Sequence, residues 1–248
     1  MFDRLRARHP GSSIPHLLFY AFCRSAAARV LRILYRIRPE GREHVPATGP
    51  VLLVANHQSF FDPPIVGGFV NNRHTDFIAR AGLFRFGPFG RLISALNSVP
   101  IAEQGGDTAA MKEALRRLGE GKAVLIFPEG SRSPDGAMRP FKRGISVLVK
   151  RAKCPVLPAA IEGVHDAWPR SRSRPHFFGY RIGLRYGLPI EHAELMKDGP
   201  DAALRRLERE IDAMRLELRA ELRARTGGRL PAPGPGDGPM VDDGHLSE

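Results

Sequence analysis

Cysteine is almost missing: Cys23 and Cys154 are the only two in 248 residues, and neither belongs to a CxxC pair. That scarcity argues against a disulfide framework and a thiolate metal site, and it fits a reducing, cytosol-facing setting. Aromatics are few, with one tryptophan and four tyrosines. There is no zinc spacing, no RNP-like run and no aromatic–basic interleaving, so nucleic acid is not an expected partner. Long apolar runs are missing too. A spanning helix needs about 20 largely apolar residues, whereas residues 17–22 give way to Arg24, Arg29, Arg32, Arg36 and Arg38. No small-residue cleavage site follows a proper apolar region. Two common enzyme motifs fail by a residue or more. Gly144-Ile145-Ser146-Val147-Leu148 ends in Leu where a nucleophile elbow needs Gly, and Gly119-Glu120-Gly121-Lys122 lacks the length and the Ser or Thr of a P-loop.

Acidic residues are outnumbered 26 to 38, leaving a formal net charge of +12, and Arg supplies 32 of the basic residues. Genome composition alone can produce such Arg dominance. The functional reading is attraction to anionic lipid head groups and to acidic or phosphorylated partners. Residues 1–43 concentrate the effect, with nine Arg against Asp3, Glu40 and Glu43, a net of +6. With Leu17, Leu18, Phe22, Val30, Leu31, Leu34 and Tyr35 between them, this reads as an interfacial amphipathic helix or helix pair. A helix packed on the core with solvated arginines is the bland alternative. The length suits one substantial core, hence one α/β domain with appendages.

Two polar runs carry the chemistry. Asn56-His57-Gln58-Ser59-Phe60-Phe61-Asp62 follows the apolar run Val51-Leu52-Leu53-Val54-Ala55, and Phe127-Pro128-Glu129-Gly130-Ser131-Arg132-Ser133 continues the apolar run Ala123-Val124-Leu125-Ile126-Phe127. Such runs read as strands buried on both faces. If parallel, both deliver their polar segments to the carboxyl edge of the sheet, where open α/β sheets collect ligands. Five residues of helix advance about 500°, placing His57 and Asp62 about 140° apart, so a hydrogen bond between them needs a turn. Pro63-Pro64 supplies the reason for one, and the following helix is expected near Pro63. A carboxylate holding one ring nitrogen leaves the other free to take a proton from a hydroxyl. Ser59-x-x-Asp62 also has the form of a capping box, a purely structural reading.

Asn-His-x-Ser-x-x-Asp followed by Phe-Pro-Glu-Gly-Ser-Arg-Ser resembles the glycerolipid acyltransferase family, whose bacterial type member acylates 1-acylglycerol-3-phosphate. The likeness runs from roughly Gly41 to Leu188. Phe77-Ile78-Ala79-Arg80 and Gly87-Pro88-Phe89-Gly90 resemble the segment between the family's first two motifs, where a Lys usually stands at the position of Arg80. Val99-Pro100-Ile101 resembles the second motif, Phe141-Lys142-Arg143-Gly144 the stretch after the third, and Pro155-Val156-Leu157-Pro158 the fourth.

The resemblance implies an acyltransferase with a central mixed sheet flanked by helices, acting on a lysophospholipid-like acceptor in phospholipid biosynthesis. By it, His57 is the general base that deprotonates the acceptor hydroxyl, and Asp62 orients it. No metal and no cofactor are implied; acyl-CoA or acyl carrier protein serves as co-substrate. Substrate contacts are expected from Asn56, Ser59, Arg80, Glu129, Gly130, Ser131 and Arg132, the last offering a planar, permanently charged fork for a phosphate. One departure stands out. Glu103 occupies the place where phosphate-accepting members usually carry Arg. Arg80, Arg132, Lys142 or Arg143 could compensate; otherwise the acceptor is a zwitterionic or amine-bearing lipid. The alternative outside catalysis is a lipid-binding protein that keeps the fold without turnover. The expected location is peripheral or monotopic on the cytoplasmic face of an anionic membrane.

The remaining chain is divided as a membrane-contact segment (1–42), the acyltransferase domain (43–200), a charged helix (201–226) and a disordered Gly/Pro-rich tail (227–248). A helix is predicted over 108–118, with Met111, Leu115 and Leu118 on one face. In the charged helix, Leu204, Leu207, Ile211, Met214, Leu218 and Leu222 are predicted to pack on the domain, with a dimer contact as the alternative. His165 reads as structural, and Trp168, Phe177, Phe178 and Tyr180 as core aromatics by default, with contact to an acyl chain or a membrane as the alternative.

Overall fold

The run Val51-Leu52-Leu53-Val54-Ala55 forms a strand with every residue buried, because alternate side chains enter separate cores on the two sides of the sheet. The computed structural model describes residues 13–70, 73–80, 98–101 and 106–240, the side chains of 79–80 and 98–107 excepted. In chain order it contains α1 (Ile14–Tyr35), β1 (Arg38–Glu40), β2 (Val51–Ala55), α2 (Asp62–Val66), β3 (Thr75–Arg80) and β4 (Ser98–Ile101). Then come α3 (Gly106–Gly119), β5 (Ala123–Ile126), α4 (Gly144–Ala152), β6 (Val156–Glu162), α5 (Val164–Ala167), β7 (Gly183–Tyr186), α6 (His192–Leu195) and α7 (Pro200–Arg225).

The described strands make one seven-stranded sheet in the order β1-β7-β6-β2-β5-β3-β4. Strand β2 lies between β5 and β6 and parallel to both, with Val51 opposite Ala123 and Leu52 opposite Val156. Strand β5 is parallel to β3, and β3 to β4. Only the β6–β7 pairing is antiparallel, so the sheet is mixed, as the family resemblance implied. Strands β2, β3, β5 and β6 therefore end on one edge, and their following loops gather there.

Each face of β2 has its own cover. Val51, Leu53 and Ala55 meet Leu31 and Tyr35 of α1, Ile65 and Val66 of α2, and Val164 of α5. Leu52 and Val54 meet Ala114 and Leu118 of α3, Leu148 of α4 and Leu207 and Ile211 of α7. Each Val, Leu or Ile side chain among them is worth roughly 1.5–3 kcal/mol when withdrawn from water. The helix predicted at 108–118 is α3, and the charged helix is α7.

Two predicted boundaries shift. The N-terminal segment is not separate from the domain: Leu31, Tyr35 and Ile37 are core residues, and β1 pairs with β7. The predicted disorder from Gly227 fails as far as Met240. Residues 231–240 lie along α7, where Arg215, Arg219 and Arg223 recur on one face of the helix. Arg215 donates to the carbonyls of Gly236 and Gly238, Arg219 to that of Ala232, and Arg223 to that of Pro231. Arg219 and Arg223 also hold Asp237. Composition alone cannot reveal which carbonyls a distant row of guanidinium groups will satisfy. Residues 241–248 lie outside the described residues.

Candidate active site

Strand β2 ends at Ala55, and the chain turns through residues 56–61 before α2 starts at Asp62, one residue ahead of Pro63. The fully buried Asp62 shapes that turn. Its Oδ2 accepts the backbone N–H groups of Gln58 at 2.5 Å and Ser59 at 2.7 Å, and the Nδ1 of His57 at 2.7 Å. The hydrogen bond that the five-residue spacing permits only across a turn is therefore made. A proton on Nδ1 in this bond leaves Nε2 as the basic nitrogen of the ring. The His57 side chain retains 18% exposure while Asp62 has none, so the imidazole is the part of the pair open to a substrate. Phe127 stacks on the ring at 4.3 Å between centroids, 22° from parallel, fixing its plane.

The second polar run grips the same histidine by its backbone. Glu129 Oε1 accepts the His57 N–H at 2.6 Å, and Ser133 N–H donates to the His57 carbonyl at 2.8 Å. Glu129 Oε2 accepts from the backbone N–H of Arg139 at 3.2 Å. Burial, opposed by those two donors and assisted by the nearby Asp62 charge, pushes the Glu129 carboxyl up to about 8.

Three residues expected to touch substrate are engaged otherwise. Asn56 is fully buried, its amide exchanging two hydrogen bonds with the main chain of Ile161 at 2.9 and 2.8 Å, and so locks β2's end to β6. Ser59 is equally buried and donates to the Trp168 carbonyl at 2.8 Å. Glu129 has both oxygens on backbone N–H groups. All three shape the loops, because their polar atoms are used by main-chain groups. The rest sit at the mouth. Gly130 has φ +71°, and a Cβ there would collide with the Lys142 side chain at 2.3 Å. Ser131 and Arg132 are half-buried, and the Arg132 guanidinium lies 3.5 Å over the Phe60 ring. Arg80 ends β3 at the same sheet edge; its side chain, like Glu103, lies outside what is described.

Three contributors escaped the sequence reading. Gln58 joins the turn to the core: its Nε2 donates to Gly136 O at 3.0 Å and to Glu162 Oε2 at 3.1 Å. Glu162, fully buried, is held by Arg219 at 2.8 Å and Arg215 at 3.4 Å. Its one signal was a carboxylate closing the otherwise apolar run 156–162. Trp168 packs on Phe60 and Phe61 at 5.3 and 4.7 Å rather than in the core. Phe177 and Phe178, also predicted as core, are 51% and 79% exposed. His165 is structural, as predicted, its ring facing the Pro134 carbonyl at 3.2 Å.

Comparison with known proteins gives a family and a fold. Residues 36–162 match the family model described as Acyltransferase. A chloroplastic 1-acyl-sn-glycerol-3-phosphate acyltransferase of Brassica napus is 30% identical over 138 residues, 54% of this chain. The chain spans only 40% of that plant protein's length. The 1-acyl-sn-glycerol-3-phosphate acyltransferase of Bacillus subtilis is 24% identical over 71% of this chain and 84% of its own. In structure, the chain is similar to the 1-acyl-sn-glycerophosphate acyltransferase PlsC of Thermotoga maritima, with a TM-score of 0.70, 26% identity and 88% of both chains covered.

Proposed function

This chain belongs to the acyltransferase family, and we propose that it moves a fatty acyl group from a thioester carrier to the free hydroxyl of 1-acyl-sn-glycerol-3-phosphate. The observation that carries the reading is the His57 Nδ1–Asp62 Oδ2 bond of 2.7 Å, at the edge where parallel strands β2 and β5 deliver both polar runs. His57 Nε2 takes the acceptor's hydroxyl proton as the oxygen attacks the thioester carbonyl carbon. The resulting tetrahedral oxyanion collapses, the C–S bond breaks, and the imidazolium returns its proton to the leaving thiolate. Buried Asp62 keeps the ring oriented and stabilises the imidazolium. Positioned acid–base catalysis of this kind contributes about 10²- to 10⁴-fold. Acyl-CoA or acyl carrier protein is the donor.

Arg132, braced on Phe60, and Lys142, arched over Gly130, are the cations that suit the acceptor's phosphate, with Arg80 on the neighbouring strand. A second reading is favoured by Glu103, a carboxylate where an Arg is expected: the acceptor then carries an amine or zwitterion in place of a phosphomonoester.

Helix α1 supports work at a membrane surface, and the proposed thioester donor makes that surface the cytoplasmic face. At about 100° per residue, Leu18, Phe22 and Ile33 fall on the side opposite Tyr20, Leu31 and Tyr35. The first set is 67%, 72% and 70% exposed, and the second is buried in the domain. No helix among the described residues is long and apolar enough to cross a membrane, so the apolar row suits an interfacial position. The deciding experiment incubates purified protein with labelled acyl-CoA or acyl carrier protein and a panel of phosphorylated, zwitterionic and neutral lysolipids. The proposed activity predicts labelled phosphatidic acid; label only on an amine-bearing lipid selects the second reading.

A further inference from the structure

The segment between α5 and β7 carries charge of one sign only. From Ala167 to Ile190 it contains no acidic residue, and it presents Arg170, Arg172 and Arg174 to solvent. Arg116, Arg117, Arg185, Arg206, Arg215, Arg219, Arg223 and Arg225 each form an ion pair. Among the described residues, Arg170, Arg172 and Arg174 have none. Next to them Phe177 and Phe178 stand in solvent, Phe178 at 79%. An exposed aromatic pair beside an unpaired arginine row combines the two features that bind anionic bilayer surfaces, apolar insertion and charge attraction.

The segment is held in place. Trp168 Nε1 donates to the Arg172 carbonyl at 3.0 Å, and His176 N–H to the Ala167 carbonyl at 2.8 Å. Tyr35, the last residue of α1, donates its hydroxyl to the His176 carbonyl at 2.8 Å and accepts Ile182 N–H at 3.1 Å. At its other end the segment reaches the active site, since Trp168 packs on Phe60, the ring beneath Arg132.

We infer that residues 168–182 are a second lipid-contacting surface, which docks on anionic phospholipid head groups at the mouth of the active site. The inference rests on the proposed membrane-surface reaction and adds to it a contact distinct from α1. An acidic carrier protein is also a match for three arginines. The bilayer is favoured because two exposed phenylalanines lie in the same segment as the arginines, and because Tyr35 joins the segment to the helix that carries the other exposed apolar row.

The test is flotation of the full-length chain with vesicles of phosphatidylcholine alone or mixed with phosphatidylglycerol, using Phe177→Ser/Phe178→Ser and Arg170→Gln/Arg172→Gln/Arg174→Gln. All five side chains are exposed, so the variants should melt as the parent does. Expected is at least tenfold weaker binding of both variants to the anionic vesicles, and a smaller loss for the arginine variant in high salt. Turnover of a water-soluble short-chain acceptor should be unchanged. Parent-like flotation of both variants overturns the inference. So does unchanged flotation with a raised KM for acyl carrier protein, which makes the arginines a carrier dock. Flotation needs no turnover, so a chain that floats through this segment yet transfers no acyl group retires the proposed reaction and leaves the lipid contact standing.

Discussion

The Glu129 carboxylate accepts the backbone N–H of His57 at 2.6 Å. The second polar run thus positions the histidine by its main chain, while Asp62 positions it by its ring. Glu129 carries a titration that can be read directly. Burial raises its carboxyl from an ordinary 4.5 to about 8. The folded state therefore holds a proton that the unfolded chain has released, and stability falls as pH rises between those values. Each pH unit in that window costs up to about 1.4 kcal/mol. Urea unfolding from pH 5 to 8 should show this slope, and Glu129→Gln should remove it. The variant should also be less stable throughout, since its amide turns a donor toward the N–H of His57 or Arg139. An identical pH slope in both proteins rejects the assignment.

Arg219 links the C-terminal segment to the His57–Asp62 turn through Glu162 and Gln58. Removing one partner of a buried ion pair costs about 3–5 kcal/mol. Arg219→Leu should lower unfolding stability by that order. Adding Glu162→Gln should recover part of the loss, because the carboxylate that lost its nearer partner is gone while Arg215 keeps Asp212. Equal stability of Arg219→Leu and parent, by urea unfolding, contradicts this.

The sheet and the His57–Asp62 pair were legible because each rests on a local pattern. Buried parallel strands appear as continuous apolar runs, and a five-residue spacing before Pro63 admits few turn geometries. Which groups Asn56, Ser59 and Glu129 engage was not legible, because their partners are main-chain groups far away in sequence, 105 residues in the case of Asn56 and Ile161. A motif reveals a residue's type and leaves open whether its polar atoms meet a ligand or a neighbouring strand. The segment 231–240 was missed for the same reason, since its order comes from arginines on α7. Phe178 was misplaced because an aromatic residue defaults to the core, and its exposure follows from a loop whose path no period encodes.

Deleting the N-terminus is a poor test of membrane contact, because Leu31, Tyr35 and Ile37 belong to the core. Leu18→Ser/Phe22→Ser/Ile33→Ser changes only exposed positions of α1. Withdrawing each side chain from water is worth about 1.5–3 kcal/mol at most, so the triple variant should lose about a hundredfold or more in vesicle affinity. Parent-like sedimentation with vesicles would exclude an interfacial α1.

Glu103 predicts weak phosphomonoester binding. Glu103→Arg changes the local charge by two units, and a tenfold fall in KM for 1-acylglycerol-3-phosphate needs only about 1.4 kcal/mol. An unphosphorylated acceptor should be insensitive. If Arg132 and Lys142 already hold the phosphate, Glu103→Arg leaves KM unchanged and Arg132→Ala raises it sharply.

The central claim is that His57 is the general base of acyl transfer, and the most direct measurement is the turnover of purified His57→Ala. The assay uses 1-acylglycerol-3-phosphate and a thioester donor, with the thermal unfolding midpoint measured beside it. Without the imidazole, Asp62 keeps its two backbone donors from Gln58 and Ser59, so the midpoint should stay close to the parent's. Turnover should fall by about 10² to 10⁴-fold, the range that a positioned base supplies. Turnover equal to the parent's, in a variant that melts as the parent does, would contradict the account.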